Sequence, residues 1–257
     1  MTPGIAIVSG RAPASFADSA TNHRVYAERH NYCFVETSWF TCESNRYLNK
    51  LHYVLHVLPH FDYVFWVDDD AFFTRLDTGI EHLLPAAERF VSLAWSSDHD
   101  PVEKHLTTGS MIIKRCQDAF DWLLGALALE MQQVKSSWQK DWGFFSGGDQ
   151  DLLIYLLRTR YCTSYSIVKS SVLQGRIEDI EKNGERPLVT HLTGTYFKKF
   201  RKYIRLTRLL GNSRHALGTP REICIDDHVR VLYRAWIVLA RTIIAIRVPA
   251  SQPHSRS

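Results

Sequence analysis

The sequence predicts an α/β domain with a Rossmann-like, mainly parallel sheet and flanking helices over residues 4–210. Three observations predict it. Strand-like and helix-like patterns alternate from Gly4 to Leu210, as they do in chains that cross repeatedly from one strand to a neighbour. A short apolar run, Tyr63 to Val67, ends in the consecutive carboxylates Asp68, Asp69 and Asp70, and open α/β sheets present functional groups at strand ends. The chain has 257 residues, 45% hydrophobic and 23% charged, which suits one large globular domain with a sizeable core.

Gly4 to Val8 is the first strand, and Ser9-Gly10 ends it in a small, flexible turn suited to backbone contact with a nucleotide. No G-x-G-x-x-G fingerprint follows it. Ser15 to Asn31 reads as a helix and Cys33 to Val35 as the next strand. Ser44 is an N-cap candidate for a helix with Tyr47, Leu48, Leu51, Val54, Leu55 and Leu58 at helical spacing, stopped by Pro59. Lys50 lies in it, either as a solvated helix residue or as a phosphate ligand. After the acidic strand come a helix over Ile80 to Glu88, a strand over Phe90 to Trp95, and a polar loop from Ser96 to His105. Thr107 to Ile113 returns to strand, and Cys116 to Val134 reads as one long helix.

The Trp- and Gly-containing loop Lys135 to Gly148 opens onto Asp149-Gln150-Asp151. Asp149 is placed to cap the helix Leu152 to Arg158 or to serve a site. Ser164 to Val168 and Ser170 to Leu173 read as short strands, and Glu178 to Pro187 as a charged loop. Leu188 to His191 is a short strand that delivers His191, a packing residue or a ligand. A basic helix runs from Tyr196 to about Leu210, and a break follows at Gly211 to Pro220. Asp226 to Val248 reads as an amphipathic helix that lies on an anionic membrane or packs on its own domain. Residues 1–210 are therefore assigned to one domain, and 211–257 to a linker, helix and tail.

The acidic stretch carries the chemistry. Asp is a poor strand former and costly to bury alone. Three adjacent like charges repel unless a cation sits among them. Asp68 and Asp70 are two apart, so in extended chain they point the same way, and Asp69 points to the other side. This is the pattern of an Asp-x-Asp site for a hard divalent cation, with a solvated acidic turn as the alternative.

Net charge is +4 with a sequence pI of about 8.8. That mild excess suits an anionic ligand or a membrane surface, and no interleaved nucleic-acid motif accompanies it. The five Cys are widely spaced with no Cys-x-x-Cys pair, which points to reduced thiols rather than a structural zinc site. No signal peptide pattern and no run of about 18 uncharged apolar residues occurs, so the expectation is a cytoplasmic protein resting on the inner leaflet through residues 226–248.

Several motifs, in order, resemble those of a known family. Asn22-His23-Arg24-Val25-Tyr26-Ala27-Glu28-Arg29-His30-Asn31-Tyr32 is similar to its Asn-Lys-x-x-Tyr-Ala-x-x-His-Gly-Tyr, and Trp66-Val67-Asp68-Asp69-Asp70-Ala71 to its Trp-Leu-Asp-x-Asp-Ala. Thr108-Gly109-Ser110 resembles its Asn-x-Gly strand, Asp149-Gln150 its Asp-Gln, and His191-Leu192-Thr193-Gly194 its late His-x-x-Gly. The family is the retaining glycosyltransferases of family 34, which include α-galactosyl-, α-mannosyl- and xyloglucan α-xylosyltransferases. The resemblance covers residues 4 to 200. Two positions depart from it: Asn31 stands for the family's Gly, and Thr107 or Thr108 for its Asn.

The resemblance implies a GT-A fold and a nucleotide-sugar donor, UDP-linked favoured, bound through Mn²⁺ or Mg²⁺, with a glycan or glycolipid as acceptor. It implies Asp68, Asp70 and His191 as metal ligands. It implies Asp149 and Gln150 near the reacting carbon. Ser9, Gly10, Asn22, Tyr26, Lys50, Asp69, Gly109 and Gly194 are implied at the donor, with Lys198 or Lys199 on the diphosphate. Two other readings compete. A haloacid-dehalogenase-type phosphotransferase also puts Asp-x-Asp after a strand, but wants Thr or Val where Phe72 stands. A non-catalytic sugar-binding protein would not need Asp68, Asp70, Asp149 and His191 together.

Overall fold

A computed structural model describes residues 3–10, 19–37, 43, 45–98 and 105–211. All of them fall in the first of two compact units, Met1–Leu217. The expected cap at Ser44 and the expected helix over 226–248 lie outside the described residues.

A six-stranded sheet organises the domain. Its strands are β1 (Ile5–Gly10), β2 (Cys33–Thr37), β3 (Tyr63–Val67), β5 (Val91–Trp95), β6 (Leu106–Lys114) and β7 (Tyr165–Val168), in spatial order β2-β1-β3-β6-β5-β7. Only β6 runs antiparallel to its neighbours, so the sheet is mainly parallel, as expected. A second sheet joins β4 (Ala71–Phe73), β9 (Val189–His191) and β8 (Gln174–Gly175) in that order. The acidic stretch is the hinge between the two sheets, because β3 belongs to one and β4 to the other.

Strand alternation builds a core on each face of the large sheet. Ala6, Val8, Val64, Trp66, Met111 and Ile113 face α2 (Asn49–Val57), α3 (Gln117–Ala128) and α5 (Asp149–Thr159). Ile5, Ile7, Phe65, Val67 and Ile112 face α1 (Ala20–Arg29) and the small sheet. In β4, Ala71 and Phe73 enter that second core, while Phe72 enters a third with Ile177, Leu192, Tyr203, Leu206 and Leu210. The third core pins α6 (Ile177–Asn183) and α7 (Tyr196–Leu210), whose apolar residues recur at helical spacing. Burial on both faces of β4 leaves the Asp68–Asp70 turn little freedom.

Several sequence expectations change, each for a local reason. The helix expected over Ile80 to Glu88 shrinks to a single 3₁₀ turn, Glu81–Leu83. Leu84 precedes Pro85 and turns extended (ψ 144°), which stops the helix. The long helix expected from Cys116 breaks where Leu129 and Glu130 turn extended, and α4 (Met131–Ser136) returns Val134 to the core. Ser170 to Leu173 is a turn rather than a strand, because Asp98 accepts from the amides of Ser170 and Ser171 at 2.9 Å each. That engagement holds the Asp98 carboxyl below its usual range although burial pushes the other way. The charged stretch from Glu178 is not a loop but α6, closed by Gly184 in the left-handed region (φ 74°).

Asn31 has a physical account. It is the described non-glycine residue with positive φ (56°). Tyr32 N–H bonds to Ala27 O (2.9 Å) and Asn31 N–H to Glu28 O (3.3 Å), the two bonds of a Schellman cap. The family's Gly suits a left-handed residue there, and Asn tolerates that conformation better than most side chains.

Among the described residues, Cys33, Cys116 and Cys162 are free thiols. No helix among them is long and apolar enough to cross a membrane.

Candidate active site

The site lies at the C-terminal ends of β1 and β3, where β9 and the start of α5 converge. Extended alternation does not aim Asp68 and Asp70, because the chain turns there. Ala71 N–H bonds back to Asp68 O (3.1 Å), and Asp68 N–H bonds to Gly109 O (2.8 Å) on β6. His191 ends β9, opposite Ala71 in the antiparallel register. Its Nε2 lies 2.9 Å from Asp70 Oδ1 and 3.7 Å from Asp68 Oδ2. One ligand atom each from Asp68, Asp70 and His191 lie within 4.8 Å of one another. Ion–ligand distances of roughly 2.0–2.6 Å span such a set. Two carboxylates and an imidazole therefore fit a divalent cation such as Mn²⁺ in donor type and in spacing.

The other oxygens of the two carboxylates are occupied. Trp66 Nε1–H donates to Asp68 Oδ1 (2.7 Å), and Lys50 Nζ lies 3.1 Å from the same atom. Lys199 Nζ donates to Asp70 Oδ2. Burial alone would raise the Asp70 pKa, but the His191 and Lys199 cations hold it well below the carboxylate range. Burial would lower His191, and the Asp70 carboxylate raises it instead. These groups neutralise one another. Asp69 sits half-buried in the turn, outside the triad.

Lys50 corrects the reading of a solvated helix residue. It is buried (9% exposed), and its ammonium has three partners for three N–H groups. These are Asp149 Oδ2 (2.8 Å), Asp68 Oδ1 (3.1 Å) and Thr108 O (3.1 Å). Burial disfavours its charge, yet Asp149 and Asp68 hold its pKa above the usual lysine value. Lys50 thus joins Asp68 of the metal turn to Asp149 at the start of α5.

Asp149 is likewise not the helix cap. Gly148 is the N-cap residue of α5, and Asp151 closes that end by accepting from the amides of Ser146 (2.8 Å) and Gly147 (2.6 Å). Asp149 is thus free to turn to Lys50 and to the Thr108 hydroxyl (3.1 Å). Burial pushes its carboxyl above the usual range, and Lys50 only partly offsets that. Gln150 Oε1 accepts from Thr108 N–H (3.3 Å). Thr108 thereby ties both residues to β6, one strand from the metal turn.

The remaining sequence candidates divide. Gly10 ends β1, one residue past the pairing of Ser9 with Glu36, and a Cβ there would lie 2.6 Å from the Tyr53 ring and 2.9 Å from Trp66. Its glycine admits the stacked Tyr53–Trp66 pair that backs the site. Ser9 is buried, and its backbone carbonyl accepts from Thr37 (3.0 Å). A Cβ at Gly109 would meet the His191 ring at 2.7 Å, so this glycine lets the imidazole lie against β6. Gly194 (φ 117°) turns the chain from His191 into α7. Lys198 and Lys199 part company: Lys199 reaches Asp70, while Lys198 lines a cavity of about 610 Å³ with Thr193, Gly194, Arg201 and Lys202.

Asn22 and Tyr26 are corrections. Both are fully buried, and their polar groups face the chain's own backbone rather than an open site. Asn22 Nδ2 donates to Phe73 O (3.1 Å) and its Oδ1 accepts from Phe73 N–H (2.6 Å), which clamps α1 to β4. Tyr26 stacks on Phe73 (3.6 Å between centroids) and donates to Thr78 O. Asn22→Ala is expected to leave two buried backbone groups unpaired and to cost roughly 2–4 kcal/mol. A urea unfolding midpoint unchanged from wild type would refute the clamp.

Trp66, Thr108 and Gln174 were missed as site residues. Trp66 offered a signal, since it precedes Asp68 by two positions. Gln174 lies 17 residues before His191 in a stretch without a motif.

The galactosyl transferase GMA12/MNN10 family model matches residues 7–102, a span that contains Asp68 to Asp70. Two curated relatives, each called "Probable glycosyltransferase 5", from Oryza sativa subsp. indica and subsp. japonica, are 26% identical over 245 residues and 78% of this chain. The chain spans about half the length of these relatives (53%). A solved glycosyltransferase involved in the glycosylation of the major capsid of PBCV-1 has a similar fold, with a TM-score of 0.55 at 13% identity. That likeness covers 80% of this chain and 99% of the other. The fold is thus that of a GT-A-like glycosyltransferase.

Proposed function

From a chain that matches the galactosyl transferase GMA12/MNN10 family over residues 7–102 on a glycosyltransferase fold, we infer a metal-dependent transferase that moves a sugar from a nucleotide-sugar donor to a glycan or glycolipid acceptor. The observation that carries this reading is the convergence of Asp68, Asp70 and His191 from a turn and a remote strand onto one point. Asp68, Asp70 and His191 would hold Mn²⁺ or Mg²⁺. When bound, the ion supplies charge neutralisation for the departing nucleoside diphosphate.

The chain's own residues supply the rest. Lys198 and Arg201, in the basic cavity beside Gly194, suit the diphosphate as point charge and fork. Asp149 and Gln150, fixed by Lys50 and Thr108, suit the sugar hydroxyls and the positive charge that develops as the anomeric carbon–oxygen bond breaks. We favour a UDP-linked donor and retention of configuration, with α-linkage in the product. The acceptor hydroxyl then bonds to the anomeric carbon on the face the diphosphate leaves, and its proton passes to the departing phosphate oxygen. Residues 226–248 remain our candidate for peripheral membrane contact.

A panel of UDP- and GDP-sugars incubated with Mn²⁺, with and without EDTA, tests the reading. Hydrolysis or transfer of one donor that EDTA abolishes is the expected result. Donor binding without turnover under every metal would replace the enzyme with a binding protein. Lys198→Ala should weaken the affinity for the productive donor about tenfold, the loss of one charge-assisted contact. An unchanged Kd for the nucleoside diphosphate would remove Lys198 from the donor site.

A further inference from the structure

Gln174 is a buried polar side chain with half of its amide unmatched. It lies on β8 and is 4% exposed. In the parallel register it pairs with Val189, two residues before His191 on the same strand face. Its Nε2 is 3.0 Å from Thr107 Oγ1 and 3.3 Å from His191 Nδ1. Its Oε1 is buried and has no hydrogen-bond partner. A Cβ at Gly109 would come within 2.7 Å of the His191 ring and 3.0 Å of Gln174 Oε1, so the amide and the imidazole are both pressed against that glycine.

An imidazole that ligates through Nε2 must be neutral there and carry its proton on Nδ1, where it needs an acceptor. An amide nitrogen cannot accept. A half-turn of the amide exchanges Oε1 and Nε2 while the rest of the side chain stays still. Oε1 then accepts from both His191 Nδ1–H and Thr107 Oγ1–H. In the opposite orientation the amide hydrogens face Nδ1, which suits only an unprotonated Nδ1; the charged His191 that pairs with Asp70 at 2.9 Å and the metal-ligating tautomer both carry Nδ1–H and both call for Oε1. Each orientation leaves one end of the amide against Gly109 without a partner, so the hydrogen-bonding needs of His191 and Thr107 decide between them.

We propose that Gln174 is the positioning residue that sets the tautomer of His191 for metal ligation, with Thr107 as the second holder of its amide. This rests on the metal reading of the Asp68–Asp70–His191 site.

The test is Mn²⁺ binding to the full chain without donor, followed by the electron paramagnetic resonance signal of free Mn²⁺. Gln174→Met removes the acceptor at nearly constant shape and should weaken binding roughly 10- to 100-fold. Gln174→Glu supplies an acceptor-only group of the same length and should keep the affinity within about threefold of wild type or tighten it. A merely structural role predicts the reverse order, because a buried carboxylate disturbs packing more than a thioether does. Full binding by Gln174→Met, or a tenfold loss in Gln174→Glu, overturns the assignment. Should Gln174→Met not fold, the Glu variant against wild type still decides it. Failure of wild type itself to bind Mn²⁺ removes the metal reading as well. Loss of binding in His191→Ala but not in Gln174→Met removes this assignment alone.

Discussion

Asp70→Asn is expected to lower metal-dependent donor turnover by about a thousandfold, the equivalent of several kcal/mol of lost charge stabilisation. Asp70 is the centre of the charge pattern. One oxygen faces His191 at 2.9 Å and the other takes Lys199, and the two cations hold its carboxyl ionised in a buried place. An Asn keeps the shape but loses the negative charge, so the point where three ligand atoms converge loses much of its attraction for a cation. Lys199 and His191 then lack their counter-charge, and the metal-free protein should also lose stability. Asp69→Asn is the matched control, since Asp69 lies in the same turn but outside the triad. Its effect on turnover should be at least tenfold smaller. Steady-state rates across a Mn²⁺ titration measure both. Equal losses in the two variants would mean that the turn as a whole, not the Asp68–Asp70–His191 geometry, sets activity.

Lys50→Met should produce the largest loss of stability. The side chain crosses from α2 to bind Asp68, Asp149 and the Thr108 carbonyl, all near the middle of the domain. Removing the cation leaves two carboxylates close together with no positive partner beside Asp149. Breaking a buried pair in this way costs roughly 3–5 kcal/mol. For a domain of this size that corresponds to a fall in Tm of roughly 6–20 °C. Asp149→Asn in the Lys50→Met background should restore part of it, because one uncompensated charge is then gone. Thermal unfolding of the four proteins of that double-mutant cycle is the measurement. A single-variant Tm within 2 °C of wild type would show that solvent reaches the cluster. Activity should fall in every variant of the cycle, since Asp149 and Asp68 lose their orientation together.

The chain itself determined the alternation of strands and helices, the strand that ends in carboxylates, and the basic helix after His191. Those features are local: side-chain period, charge run and turn residues act over a few positions, so they can be read in order. Asn31 belongs with them, because a left-handed cap asks for Gly or Asn whatever surrounds it. Only the tertiary structure decided which polar residues share a site. Asn22 and Lys50 looked alike on paper, each a polar residue in a helix. Packing sealed the first against Phe73 and brought the second to Asp149, about a hundred residues along the chain. Gln174 could not be found in advance, because its meaning depends on the ring of His191 lying against a glycine on another sheet. Long-range pairs of this kind come from strand register and burial, and a charge or an amide becomes specific only when water is excluded and few partners remain.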